Sequence, residues 1–129
     1  MAGRTPRWYS KDMERKIVIT GASSEIGLAI AKRLAAPGDE LLLQYRSRPQ
    51  ACEELAGQYP GSRAVKVDLT DPRELADFCA LLEGTDILVN AAAVTRTGLL
   101  PDLSPVDIGA MLAVNIRALT EICAAVIPS

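Results

Sequence analysis

Residues 16–34, Lys-Ile-Val-Ile-Thr-Gly-Ala-Ser-Ser-Glu-Ile-Gly-Leu-Ala-Ile-Ala-Lys-Arg-Leu, leave few choices of fold. A short apolar run over 16–20 ends in a turn that carries Gly21, Ser23 and Ser24, and an amphipathic pattern opens near Glu25. The order is strand, tight turn, helix N-terminus. The first N–H groups of a helix have no intrahelical partner, and the helix dipole adds partial positive charge at the same end. An anion seated there is stabilised. Gly21 permits the turn and lets a ligand come close to the backbone. Gly27, one turn into the helix, lets helix and strand pack closely. The same pattern also fits a plain strand-to-helix turn with no ligand.

The rest of the chain repeats the alternation. Pro37-Gly38 stops the first helix. Residues 40–45 read as a buried parallel strand, bounded by turn residues. A helix is expected over 50–59, broken by Pro60-Gly61, and a third strand over 63–67 ends at Asp68. Asp71 as N-cap, Pro72 at the first helical position and Glu74 three after the cap open a helix that runs to about 82, before Gly84. Residues 86–90 form a fourth strand and 91–103 a loop. Ser104-Pro105-Val106-Asp107 opens a last helix that reaches about 127.

Strands alternating with helices imply an α/β fold, a Rossmann-type doubly wound parallel sheet. Right-handed crossovers favour the strand order 3-2-1-4. Two features mark the unit as incomplete, with C-terminal strands and helices to be supplied from elsewhere. The apolar fourth strand would lie at an open edge, which natural proteins cover. The last helix is apolar on nearly all sides, from Ile108 to Ile127, so one face should pack on the sheet and the other needs a partner.

Composition narrows the function. The 129 residues suit one domain. With 14 Lys and Arg against 16 Asp and Glu, the chain lacks the clustered basic face of a nucleic-acid binder. Cys52, Cys79 and Cys123 are widely spaced with no CxxC pair, as reduced thiols of a cytoplasmic protein would be. Histidine is absent, so histidine-dependent chemistry and His-ligated metals are excluded, and no metal site is expected. No uninterrupted apolar run reaches the roughly 18 residues of a membrane span, and no membrane partner is expected. Residues 1–14 form a polar N-terminal extension with Arg4, Arg7 and Lys11 but no apolar core, unlike a secretory signal. Trp8 and Tyr9 offer a way to dock it on a neighbouring surface. Residues 15–129 are expected to form the Rossmann half-domain.

Four positions fall at the C-terminal ends of the four strands: the Gly21 turn, Arg46, Asp68 and Asn90. Open α/β sheets bind ligands there, beside the switch in strand order. At the end of the second strand an acid would bond the ribose 2′-OH of NAD, whereas an Arg accommodates the 2′-phosphate of NADP. Tyr45-Arg46-Ser47-Arg48 offers two cations and no acid, which favours NADP over NAD; the other reading is a solvated basic loop. Asp68 is placed to accept a hydrogen bond from an adenine amino group, or to serve the turn. Asn115 lies in an apolar helical run, where Asn is a poor helix former. A buried amide needs partners, so it is either a satisfied core residue or an amide that holds water or backbone near the site.

Together these residues resemble the short-chain dehydrogenase/reductase family, particularly its 3-oxoacyl-(acyl carrier protein) reductases, over residues 16–127. Thr20-Gly-Ala-Ser-Ser-Glu-Ile-Gly27 is similar to the family's Thr-Gly-x-x-x-Gly-x-Gly cofactor turn, Asp68-Leu69 to its adenine contact, and Asn90-Ala-Ala-Ala93 to its Asn-Asn-Ala-Gly motif. Asn115 falls where the family places the Asn of its catalytic tetrad. The resemblance implies NADP contacts from Gly21, Ser23, Ser24, Ile26, Gly27, Tyr45, Arg46, Ser47, Asp68, Leu69, Asn90, Ala91 and Ala92, and a catalytic Asn115. Glu25 departs from the turn's middle glycine and is expected to face solvent. Ala91 and Ala93 replace the Asn and Gly of the third motif and leave room for the cofactor.

The family's Ser and Tyr-x-x-x-Lys have no stand-in: four residues after Tyr9, Tyr45 and Tyr59 stand Met13, Pro49 and Arg63. The resemblance therefore implies NADP(H)-dependent hydride transfer to or from a carbonyl or alcohol substrate, with a complementary C-terminal fragment or chain supplying Ser, Tyr and Lys. This chain alone would be nearly inactive. The last helix would pack in a homo-oligomer. The alternatives are a non-catalytic nucleotide-binding or interaction module, and a truncated product that aggregates through its open sheet edge.

Overall fold

A computed structural model describes residues 14–128. Trp8, Tyr9 and most of the N-terminal extension lie outside the described residues. A four-stranded parallel sheet runs β1 (Lys16–Thr20), β2 (Glu40–Tyr45), β3 (Arg63–Lys66) and β4 (Ile87–Asn90), in the spatial order β3-β2-β1-β4. This is the expected order 3-2-1-4. Lys16 pairs with Glu40 on one side of β1, and Ile17 with Ile87 on the other. Helices α1 (Glu25–Leu34), α2 (Gln50–Gly57) and α3 (Pro72–Cys79) connect the strands, and α4 (Pro105–Val126) follows β4.

Alternate residues of the central strands feed two cores, as the period of a strand requires. Ile17, Ile19, Leu41 and Leu43 pack with Ala31, Cys52 and Leu55 on one face. Val18 and Leu42 pack with Leu75, Phe78, Val114, Ala118 and Ile122 on the other. Burial, and then the charge of Glu53, pushes the Cys52 thiol up.

Local chemistry sets the element ends. Ser24 caps α1 by accepting from the Gly27 N–H at 3.1 Å, and Ser104 caps α4 by accepting from Asp107. Asp71 caps α3 through the N–H groups of Arg73 and Glu74. Glu74 does not close a box on its cap; its carboxylate accepts from the Asp68 N–H instead. Helices α2 and α3 end earlier than expected because their last turns tighten. The N–H groups of Gln58 and Tyr59 bond Leu55 and Ala56 three residues back, and those of Leu81 and Leu82 bond Phe78 and Cys79.

The sequence gives no warning of a buried ion pair at the other end of the sheet. Arg15 donates from Nε to Asp39 Oδ1 at 3.0 Å and from Nη2 to Oδ2 at 2.7 Å. Both residues are buried. Arg15 also bonds the Leu34 carbonyl, and Asp39 accepts from the Ala36 N–H, so the pair ties the end of α1 to the starts of β1 and β2. Burial alone would raise the Asp39 carboxyl. The Arg15 hydrogen bond, the Ala36 N–H and the Arg15 charge outweigh it and hold Asp39 below its usual range.

Helix α4 corrects two expectations. It is not a uniform α-helix: Ala113–Ala118 is a π segment between the α-helical turns Pro105–Leu112 and Leu119–Val126. Its 22 residues are also long and apolar enough, by length and composition, to cross a membrane. Counting uninterrupted apolar runs missed this because Asp107, Asn115, Arg117 and Glu121 break the run without making the helix polar. The core helix of an α/β domain passes the same test, and Val114, Ala118 and Ile122 are buried against the sheet. The opposite face is bare: Leu112 and Ile116 are 53% and 58% exposed.

Candidate functional site

The C-terminal ends of the strands open into a cleft of about 270 Å³. One wall is the β1 turn, with Gly21, Ser23 and Ser24; a second is Gln44, Arg46, Ser47 and Arg48 after β2. Val67, Asp68, Leu69 and Thr70 form the third, and Ala91–Val94 with Val114 the fourth. Of the residues expected in a nucleotide site, the cleft brings together Gly21, Ser23, Ser24, Arg46, Ser47, Asp68, Leu69, Ala91 and Ala92. Gly27, Ile26, Tyr45 and Asn90 do not line it. Gly27 is buried in the packing of α1 on the turn, where a Cβ would run into the Gly21 carbonyl oxygen. Ile26 is 65% exposed outside the cleft, and Tyr45 packs against the core between β1, β2, α1 and α2. Asn90 is exposed, with its Nδ2 3.4 Å from Cys123 Sγ.

The β1 turn is held tightly. Gly21 has φ +63°, and a Cβ there would lie 2.7 Å from the Ala92 backbone. The loop after β4 fills the space that a Cβ would take, while Gly21 itself lines the cleft. Thr20 Oγ1 accepts from the Ala92 N–H at 3.2 Å and ties the same two loops. Ser24 donates to the Gly21 carbonyl while capping α1. Glu25 is exposed, as expected.

Asp68 serves the turn. Its Oδ1 accepts from the hydroxyl and the N–H of Thr70, at 2.7 and 2.9 Å. Those two bonds hold the carboxyl below its ordinary value; burial opposes them, and the nearby Arg46 charge adds to them. The wall therefore presents an ionised acceptor beside a guanidinium. Asn115 sits within the π segment, and both ends of its amide reach the backbone of Val94. Of the two readings left open for Asn115, its side chain holds backbone at the edge of the cleft.

Sequence reasoning missed Gln44. It is 2% exposed, and its amide bonds the Gly21 N–H and the Val67 carbonyl. The signal was present: one amide stands inside the apolar run Glu40–Tyr45, and a buried amide must be partnered.

Chemically, the cleft offers a capped helix N-terminus for one anion and a pair of guanidinium-bearing residues for another. Asp68 can accept from a base, and the apolar side chains of Val67, Leu69 and Val94 can flank it. This donor set fits a dinucleotide with an added phosphate.

Comparisons with known proteins point the same way. The sequence profile of the short chain dehydrogenases matches residues 15–129. D-beta-hydroxybutyrate dehydrogenase of Rhizobium meliloti (strain 1021) is 33% identical over 115 residues, covering 82% of this chain and 45% of that protein. The 3-oxoacyl-(acyl-carrier-protein) reductase FabG of Aquifex aeolicus is 33% identical over 108 residues, covering 77% and 43%. A short chain dehydrogenase from Burkholderia cenocepacia J2315, solved in complex with NADP, superposes with a TM-score of 0.75 at 35% identity, covering 87% of this chain and 49% of that one. The chain thus spans about half the length of the relatives it matches.

Proposed function

The chain belongs to the short-chain dehydrogenase family of oxidoreductases, and from that premise we propose that it binds NADP(H) in the cleft as the cofactor-holding part of a carbonyl or alcohol oxidoreductase. The observation that carries the reading is the wall after β2. Arg46 and Arg48 line it with no carboxylate between them, next to the capped N-terminus of α1. The NADP-bound structure from Burkholderia cenocepacia supports the choice of cofactor.

Each wall has a task. The first turn of α1 and Ser23 take the pyrophosphate, with the helix dipole favouring its charge. Arg46, Ser47 and Arg48 take the 2′-phosphate; a planar guanidinium grips phosphate through two parallel hydrogen bonds. Asp68 orients the adenine while the Thr70 bonds keep it ionised. Ala91 and Ala92 leave room for the cofactor beyond Gly21, and Asn115 fixes that wall through Val94. When bound, the nicotinamide supplies or accepts the hydride.

The proton that accompanies hydride transfer needs a positioned donor, which contributes on the order of 10²–10⁴-fold. This sequence has no Tyr followed four residues later by Lys. We place that pair in the C-terminal part of the family's fold, docked against the β4 edge. The bare face of α4 suits a second copy of the enzyme.

Titration of the 129-residue chain with NADPH and NADH tests the cofactor reading. Saturable binding with NADPH the tighter ligand is expected; binding of neither overturns it. Reduction of acetoacetate is the catalytic test, since its ketone corresponds to the oxygen position in the names of both curated relatives. No turnover by these 129 residues alone is expected, and turnover by them would show that the Tyr and Lys pair is not needed.

A further inference from the structure

We infer that Gln44 is a positioning residue of this site: one buried side-chain amide sets the separation between the phosphate turn and the adenine wall. The inference rests on the nucleotide reading of the cleft. Backbone pairing between β1 and β2 ends at Ile19 and Leu43. Beyond that point the chain of β1 turns away to form the glycine turn, and the ladder would leave a gap. Gln44 fills it from β2. Its carbonyl accepts from the Ala22 N–H at 2.9 Å. Its side-chain Oε1 accepts from the Gly21 N–H at 2.8 Å, and its Nε2 donates to the Val67 carbonyl at 2.9 Å.

The bridge asks for an acceptor at one end and a donor at the other, across a fixed span. A primary amide has both. A carboxylate in that place would accept from Gly21 but oppose the Val67 carbonyl. A shorter amide would not span, and an apolar side chain would strand both backbone groups. The bridge also decides which donors face a ligand. The Gly21 and Ala22 N–H groups are turned into the sheet, Ser24 donates to Gly21, and Gly27 donates to Ser24 Oγ. The N–H groups of Glu25 and Ile26 are the first-turn donors that this cap leaves over. Gln44 thus fixes the height at which a pyrophosphate sits relative to the Asp68 wall.

The test compares two ligands on the 129-residue chain. NADPH must reach the phosphate turn as well as the adenine side, whereas adenosine 2′-monophosphate, which has no 5′-phosphate, engages mainly Arg46 and Asp68. In Gln44→Met and Gln44→Glu the affinity for NADPH should fall about tenfold or more, as expected for a lost bridge of this kind. Affinity for the monophosphate should fall less than about threefold, because its contacts lie away from the phosphate turn. Parallel losses for both ligands would mean that Gln44 only supports folding, and unchanged NADPH affinity would mean that it positions nothing; either overturns the inference. Where a variant fails to fold, amide exchange of the unaltered chain decides: the Gly21 N–H should be protected without ligand and stay so when NADPH binds. A Gly21 amide that exchanges freely and gains protection only on binding would overturn the inference. If the unaltered chain binds neither ligand, the nucleotide reading falls and takes this inference with it. Binding that the variants leave intact sinks the inference alone.

Discussion

The side chain of Asn115 is bonded at both ends to one residue, Val94: the Val94 N–H donates to its Oδ1 and its Nδ2 donates to the Val94 carbonyl, each at 2.8 Å. A strand-like pairing of amide with backbone therefore joins the π segment of α4 to the loop after β4. The two bonds tie that loop to α4 at the edge of the cleft.

Replacing Asn115 with Ala should cost about 1–3 kcal/mol, because a half-buried N–H and carbonyl both lose their partner. Denaturant unfolding measures the loss. Amide exchange at Val94 should quicken by more than at residues of β1. Asn115→Asp should recover little, since an ionised carboxylate cannot donate to the Val94 carbonyl.

Gly21→Ala places a methyl group against the Ala92 backbone at a φ that disfavours it. The strain should lower stability by about 1–3 kcal/mol. NADPH affinity should fall with it, because the turn and the facing loop must separate. Thermal melts and NADPH titration check the two halves of the prediction.

Asp39→Asn removes the whole of the carboxylate's charge from beside the buried Arg15 guanidinium. A loss of about 3–5 kcal/mol is expected near neutral pH. The pH dependence follows from the lowered Asp39 carboxyl. Its contribution is fully present above the ordinary value of 3.8 and is lost as pH falls through the lower folded-state value. Unfolding midpoints measured from pH 6 downward, on the order of one unit apart, should converge for the two proteins below pH 3.8. Curves that stay parallel into acid would refute the assignment.

Arg46→Ala should weaken NADPH by about tenfold or more, the worth of a charge-assisted hydrogen bond to phosphate. NADH, which lacks the 2′-phosphate, should be almost unaffected. Equal losses would place the 2′-phosphate elsewhere. Because Arg46 charge helps to hold the Asp68 carboxyl down, that carboxyl should titrate at higher pH in the variant, by NMR.

The strands were legible because each is a short apolar run between glycines, prolines and polar residues. The order β3-β2-β1-β4 then follows from the handedness of the crossovers. Asp71 and Ser104 announced their helices because capping is local in sequence. What stayed hidden was non-local. Arg15 and Asp39 are ordinary charged residues 24 positions apart until the sheet brings them together. Gln44 was visible as an oddity, but its partners at 21 and 67 were not. In the cleft, the glycine turn and the basic residues after β2 could be placed from their strand ends. That Asn90 stands outside the cleft lining could not be read this way, because whether a residue at a strand end faces the cleft or the surface depends on packing that periodicity does not specify.

The contact between Gly21 and the Ala92 backbone limits how this cleft can be altered. The turn and the loop are interlocked, one glycine wide, and Thr20 fastens them a second time. Grafting a nucleotide turn from another protein would bring a side chain or a different turn height into a space already filled. The loop from 91 to 94 would have to travel with it, and Asn115 with the loop. The transferable piece is therefore not the glycine turn but three segments remote in sequence, exchanged together or not at all.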